Sequence, residues 1–77
     1  MTIRYHVKVD WQGDEWRAVC PALRDHGAFT GGETREEALT HIENAISMIL
    51  LDMATAGVLP PPDEPVPGGV MLTIEAG

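Results

Sequence analysis

The chain has 77 residues, enough for one small domain, and a formal net charge of −7 at pH 7. A hydrophobic core of this size is usually marginal, and small domains often add disulfides, a metal ion or a partner subunit. Cys20 is the one cysteine, which excludes an intramolecular disulfide, and the sequence has no Cys/His cluster of the zinc type. We therefore expect a homo-oligomer, either a dimer or a tetramer.

The lone thiol and the lack of a secretory leader predict a cytoplasmic protein. No apolar run approaches the ~20 residues that a membrane-spanning helix requires.

The first strand is predicted over residues 3–11, where apolar and polar side chains alternate strictly. Residues 12–15 are predicted to form a turn, and residues 15–20 the return strand. Trp11 and Trp16 flank the turn and either pack on each other across the hairpin or anchor a partner. Residues 21–27 are expected to be a loop. A short third strand is predicted over residues 28–30, ended by the two glycines that follow.

A helix is predicted over residues 35–56. Thr34 and Glu37 have the spacing of a capping box, in which each side chain accepts from the other residue's backbone amide. Gly57 marks the end, because glycine readily adopts the left-handed conformation found after helices. At about 100° per residue, one stripe should face a sheet. Its members are Ala38, Leu39, Ile42, Ile46, Ile49, Leu50 and Met53.

Residues 57–69 contain five prolines, which predicts an extended, stiff loop, and residues 70–75 alternate as a fourth strand. The layout is β-β-β-α-β in a single domain over residues 1–77. The expected fold class is α+β, with a small sheet covered on one face by a single helix. Met48 and Leu51 project away from the helical stripe, and we predict that they form a subunit contact.

The charge is unevenly distributed along the chain. All five Lys and Arg residues lie in the first 35 positions, and seven acids without any Lys or Arg follow. Direct nucleic-acid binding normally requires clustered cations, so it is not expected. The acids either suit a basic partner protein or simply keep the domain soluble. The acidic candidates for contacting a partner are Glu43, Asp52, Asp63 and Glu64.

No motif in the sequence indicates catalysis. His6, His26 and His41 lack the spacing of a helical zinc site. Cys20 is expected to be a packed small side chain rather than a nucleophile. Gly31 and Gly32 precede a helix, but the Lys-Ser/Thr of a phosphate loop is missing. We therefore predict a protein that is not an enzyme and that has no catalytic residues, cofactor or metal.

Two strands run into "CPAL", and "HGAFTGGETREEALTHIENAI" follows, then a Pro-rich loop and a final strand. This pattern resembles the HicB-like antitoxin family. The family's Gly-Asp-Thr-x-x-Glu-Ala element is matched by residues 32–38, with Glu33 in the place of Asp. Complete members continue into a C-terminal DNA-binding module, whereas this chain stops after its fourth predicted strand, so no direct operator binding is expected.

The resemblance implies a partial ribonuclease-H-like fold without catalytic carboxylates. It also implies an oligomeric antitoxin that neutralises a small basic RNA-cleaving toxin by covering the toxin's RNA-binding surface. The alternative is a stand-alone oligomeric structural or ligand-binding domain that has kept this fold without a toxin partner.

Overall fold

A computed structural model describes residues 2–75 of the chain. It is an α+β structure in which three strands precede one long helix and a fourth strand follows it. The elements are β1 (Thr2–Trp11), β2 (Trp16–Val19), a 3₁₀ helix (Pro21–His26), β3 (Phe29–Gly32), α1 (Arg35–Ala56) and β4 (Val70–Glu75).

The four strands form one antiparallel sheet in the order β3-β2-β1-β4. β1 is long enough to pair with two neighbours. Its residues 2–7 pair with β4, and its residues 8–11 pair with β2. The expected α+β class, with a small sheet and a single helix, is therefore confirmed.

The strand register divides the side chains between two faces, because residues directly opposite each other in an antiparallel pair point the same way. Val9 lies opposite Ala18, and Tyr5 lies opposite Leu72, so the apolar positions of the strands share the face under α1. The predicted stripe of α1 covers this face, with Leu39 and Ile49 partly buried. The core consists of Tyr5, Val7, Ala18, Cys20, Leu23, Ala28, Ala38, Ile42, Ile46, Leu50, Met53 and Ile74.

The ends of α1 are the predicted ones. The hydroxyl of Thr34 accepts from the backbone amide of Glu37 at 3.0 Å, and Gly57 ends the helix at φ +72°. The reciprocal half of the capping box differs from expectation. The Glu37 carboxylate accepts from the amide of Glu33 at 3.3 Å instead of that of Thr34, which is still favourable near the positive end of the helix dipole.

Two local predictions are wrong. Residues 21–26 form a 3₁₀ helix instead of a loop, because Pro21 presets its first turn and Leu23 drives it into the core, where that side chain is fully buried. The third strand also continues through both glycines to Gly32. A Cβ on Gly32 would stand 2.7 Å from the Ala38 amide nitrogen, so the absent side chain lets β3 pass close under the start of α1.

The Pro-rich loop is attached to the sheet. The hydroxyl of Tyr5 donates to the carbonyl oxygen of Pro61 at 2.7 Å. Tyr5 is itself almost completely buried, so this bond anchors the loop to a rigid part of the core. Among residues 2–75, no helix combines the length and the apolar character that crossing a membrane would require.

Candidate functional site

The side chains that could carry out chemistry are dispersed through the fold. His41 Nδ1 lies 2.8 Å from the Gly31 carbonyl oxygen and donates to it, which joins α1 to β3. His26 lies at the other end of the molecule, beside Met53. Within the described part of the chain, no three His, Cys, Asp or Glu side chains are close enough to hold a metal ion together.

Cys20 is a core residue, as predicted. Its side chain is completely buried, and burial raises the pKa of the thiol, an effect that outweighs the hydrogen bonds from the Leu23 and Ala22 amides. Because the thiolate is the reactive form, a buried thiol with a raised pKa is a poor nucleophile at neutral pH.

His6 and Asp63 form the most strongly connected polar pair. One carboxylate oxygen of Asp63 accepts from the backbone amide of His6 at 2.8 Å, and the other lies 2.5 Å from the His6 Nδ1 atom. Each side chain is about one quarter exposed, at 25%. Asp63 therefore occupies both its oxygens in fastening the Pro-rich loop to β1.

The electrostatics of this pair follow from its geometry. Burial acts to raise the pKa of Asp63. The hydrogen bonds from the amide and the ring of His6, the nearby charge of His6 and the hydrogen bond from the Glu64 amide outweigh burial and lower that pKa below its usual value. The carboxylate is thus held in its ionised, hydrogen-bonding form. Asp63 thus holds the loop against β1, and its predicted contact with a partner stays a prediction.

The face of the sheet opposite α1 carries a mixture of charges. A depression of about 750 Å³ on this face includes Lys8 and Arg17 among its lining residues. The Lys8 ammonium lies 3.5 Å from the Asp10 carboxylate, and the Arg17 guanidinium lies 3.7 Å from the Glu15 carboxylate. Lys8 and Arg17 therefore each have an acid beside them, and Arg24 also lines the depression.

The remaining acidic candidates are free at the surface. Glu43 and Asp52 are exposed on α1, and Glu64 is exposed in the Pro-rich loop. No Lys or Arg follows Arg35, so the outer helix surface and the loop carry acids without intervening cations. This is the part of the molecule whose charge would attract a basic surface.

Met48 and Leu51, which are predicted to form a subunit contact, are both exposed. Met48 is 68% exposed and Leu51 is 64% exposed. Leu51 also borders a groove of about 660 Å³ between α1 and the start of the Pro-rich loop. Other residues of the groove are Ile3, Ser47, Leu50, Ala54, Gly57, Val58, Leu59, Pro60 and Glu75.

Sequence patterns did not single out four further exposed apolar side chains, Phe29, Val58, Leu59 and Met71. Leu59, at 89%, is the most exposed of them, and Phe29 and Met71 are also largely open. A signal was present for Met71, which has the same two-residue period as the polar Thr73 and Glu75 of β4 and so had to lie on the outer face. Leu59 precedes consecutive prolines in a loop that cannot form a helix, so its apolar side chain had no obvious place in the core.

No protein-family model matches this chain, and neither the curated proteins nor the solved structures include one that is significantly similar to it.

Proposed function

We propose that this protein is an antitoxin-like binding module that neutralises a small basic RNA-cleaving protein by covering its RNA-binding surface. One observation carries the proposal. The acids from Glu36 to Asp52 lie on α1, and Asp63 and Glu64 lie in the Pro-rich loop, with no Lys or Arg among them. The cations of β1 and β2 lie on the face of the sheet opposite α1, where acids already accompany Lys8 and Arg17.

The mechanism is electrostatic steering followed by occlusion. An acidic surface attracts a cationic one over a Debye length of about 8 Å at physiological salt, which raises the association rate. An enzyme that cleaves RNA must itself present cations to the phosphate backbone. Glu43 and Asp52 are exposed on opposite flanks of α1, about 180° apart at 100° per residue, so each offers a separate acidic contact for those cations.

The family assignment belongs to the same proposal. The element order β-β-β-α-β and the Gly-Glu-Thr turn before α1 support a HicB-like domain with a partial ribonuclease-H-like fold. We propose that the domain itself cleaves no RNA, as the resemblance to the HicB-like family implies.

The test takes every short basic protein found to be encoded next to this chain, purifies each one and assays it for RNA cleavage. We expect an equimolar amount of this protein to inhibit one of them, with an association rate that falls as salt is raised. Replacing Glu43 and Asp52 together by Gln and Asn should slow association. The matched control replaces Asp14 and Asp25 by Asn, which removes the same charge from exposed positions in the β1–β2 turn and the 3₁₀ helix.

Equal slowing by both double variants would show that net charge alone governs association and would remove the assigned surface. If none of the neighbouring basic proteins is bound or inhibited, the antitoxin proposal fails and the stand-alone domain becomes the better account.

A further inference from the structure

β4 is an outer strand of the sheet, and the direction of its free backbone groups can be worked out from β1. His6 lies opposite Met71, yet its amide donates to Asp63 instead of to β4. In an antiparallel ladder, opposed residues either exchange both backbone bonds or exchange none. His6 and Met71 therefore exchange none, and the N–H and C=O of Met71 point away from the sheet. By the two-residue period, Thr73 and Glu75 do the same.

This edge lacks the features that usually prevent strands from pairing with other chains. Natural edge strands are commonly shortened, bent by a bulge, or protected by Lys or Pro. β4 is six residues long and contains neither Lys nor Pro. Its one charged side chain, Glu75, accepts from the Thr2 hydroxyl at 2.7 Å and so is held against its own sheet. β4 therefore presents the backbone N–H and C=O groups of Met71, Thr73 and Glu75 along its outer edge.

Exposed apolar side chains of α1 lie on the same side of the molecule as β4. Asp52 and Ala56 lie on the side of α1 that faces away from β4, because they line a depression together with His26 of the 3₁₀ helix. Leu51 and Ala54 instead line the groove whose other walls include Glu75 of β4. A strand added beside β4 would thus lie next to an apolar helix surface.

We infer that β4 pairs antiparallel with β4 of a second copy of this chain, about a twofold axis at Thr73. This register pairs all three outward residues within the strand, placing Thr73 opposite Thr73 and Met71 opposite Glu75. Each hydrogen-bonded pair exchanges two bonds, so three pairs form roughly six. A twofold axis at Glu75 would instead oppose like charges, which is destabilising.

A second copy of this chain fits this edge better than a basic protein does, because the outward residues Met71, Thr73 and Glu75 need no cation opposite them. Thr–Thr pairs across strands are favourable, and Met71 opposite Glu75 avoids repulsion. The two joined sheets would bring the Leu51 sides of both helices toward the junction, where apolar area can be buried. Each copy carries a charge of −7, so added salt should strengthen this dimer while weakening binding to a basic partner.

The test is disulfide trapping of the whole protein. In a hydrogen-bonded antiparallel pair, opposed Cα atoms are about 5.5 Å apart, within disulfide range. Thr73→Cys should therefore give a covalent dimer under mild oxidation. Met71→Cys is the matched control, because its two copies would be separated along the strands by roughly 13 Å. The native Cys20 is fully buried, and the unchanged protein should remain uncrosslinked.

Dimeric mass in sedimentation at micromolar concentration, with preferential trapping of Thr73→Cys, would establish the interface. A species of only 8.4 kDa would overturn it. A dimer that Met71→Cys traps as well as or better than Thr73→Cys, or that neither variant traps, would place the contact elsewhere and also overturn it.

Two lysine variants test the register without oxidation and change the net charge equally. Thr73→Lys sets two cations against each other at the axis and should raise the dimer dissociation constant about tenfold. Met71→Lys faces Glu75 of the partner and should lower or preserve that constant. The opposite order would overturn the Thr73-centred register, and circular dichroism would check that both variants fold. Pairing of β4 with a basic protein's strand is excluded if the trapped product has twice the mass of this chain.

Discussion

Replacing Asp63 by Ala should detach the Pro-rich loop from β1 and destabilise the fold. The substitution removes the acceptor for the His6 amide at 2.8 Å and the partner of the His6 ring at 2.5 Å. A hydrogen bond to a charged group contributes roughly 1.5–3 kcal/mol when it is well shielded. Both side chains are 25% exposed, so water can replace part of what is lost. We expect the free energy of unfolding to fall by about 2 kcal/mol.

Urea unfolding at fixed protein concentration measures this loss. For a small domain the dependence on urea is about 1 kcal/mol per molar, so the midpoint should fall by roughly 2 M. Glu64→Ala is the matched control, because it removes the same charge from the next residue, whose side chain is exposed. It should change stability by less than about 0.5 kcal/mol.

The contribution of Asp63 should also depend on pH in a defined direction. The folded-state pKa of Asp63 lies below its ordinary value of 3.8, so the carboxylate stabilises the fold fully above that value. The stabilisation is lost as pH falls through the lower folded-state pKa. The difference between wild type and Asp63→Ala should therefore shrink below about pH 4. Equal urea-unfolding midpoints for Asp63→Ala and Glu64→Ala at neutral pH would refute the attachment of the Pro-rich loop to β1 by Asp63.

Thr34→Ala should lower the free energy of unfolding by about 1 kcal/mol, because it removes the cap that accepts from the Glu37 amide, and an unchanged melting midpoint would contradict this. Gly32→Ala should destabilise by roughly 1–3 kcal/mol, since its new Cβ would meet backbone at 2.7 Å. Gly31→Ala is the comparison for that variant. Its nearest obstacle is the flexible end of the Glu15 side chain, so thermal melting should show a clearly smaller loss.

The sequence determined those features that depend on near neighbours in the chain. The cap at Thr34 and the stop at Gly57 act over a few residues, which is why α1 was predicted with its observed bounds, Arg35–Ala56. Strict alternation likewise identified the apolar faces of β1 and β4. The packing of Trp11 against Trp16, with ring centroids 5.7 Å apart, followed from the short turn that joins their strands.

Only the tertiary structure decided the features that join distant parts of the chain. Asp63 looked like one more surface acid until the fold placed it beside His6, 57 positions away. Gly32 looked like a strand terminator, but the close approach of α1 makes it an interior strand position. The free edge of β4 became visible only when the sheet order placed that strand outermost, beside the apolar groove. Local patterns carry no information on such contacts, because they depend on which elements pack side by side.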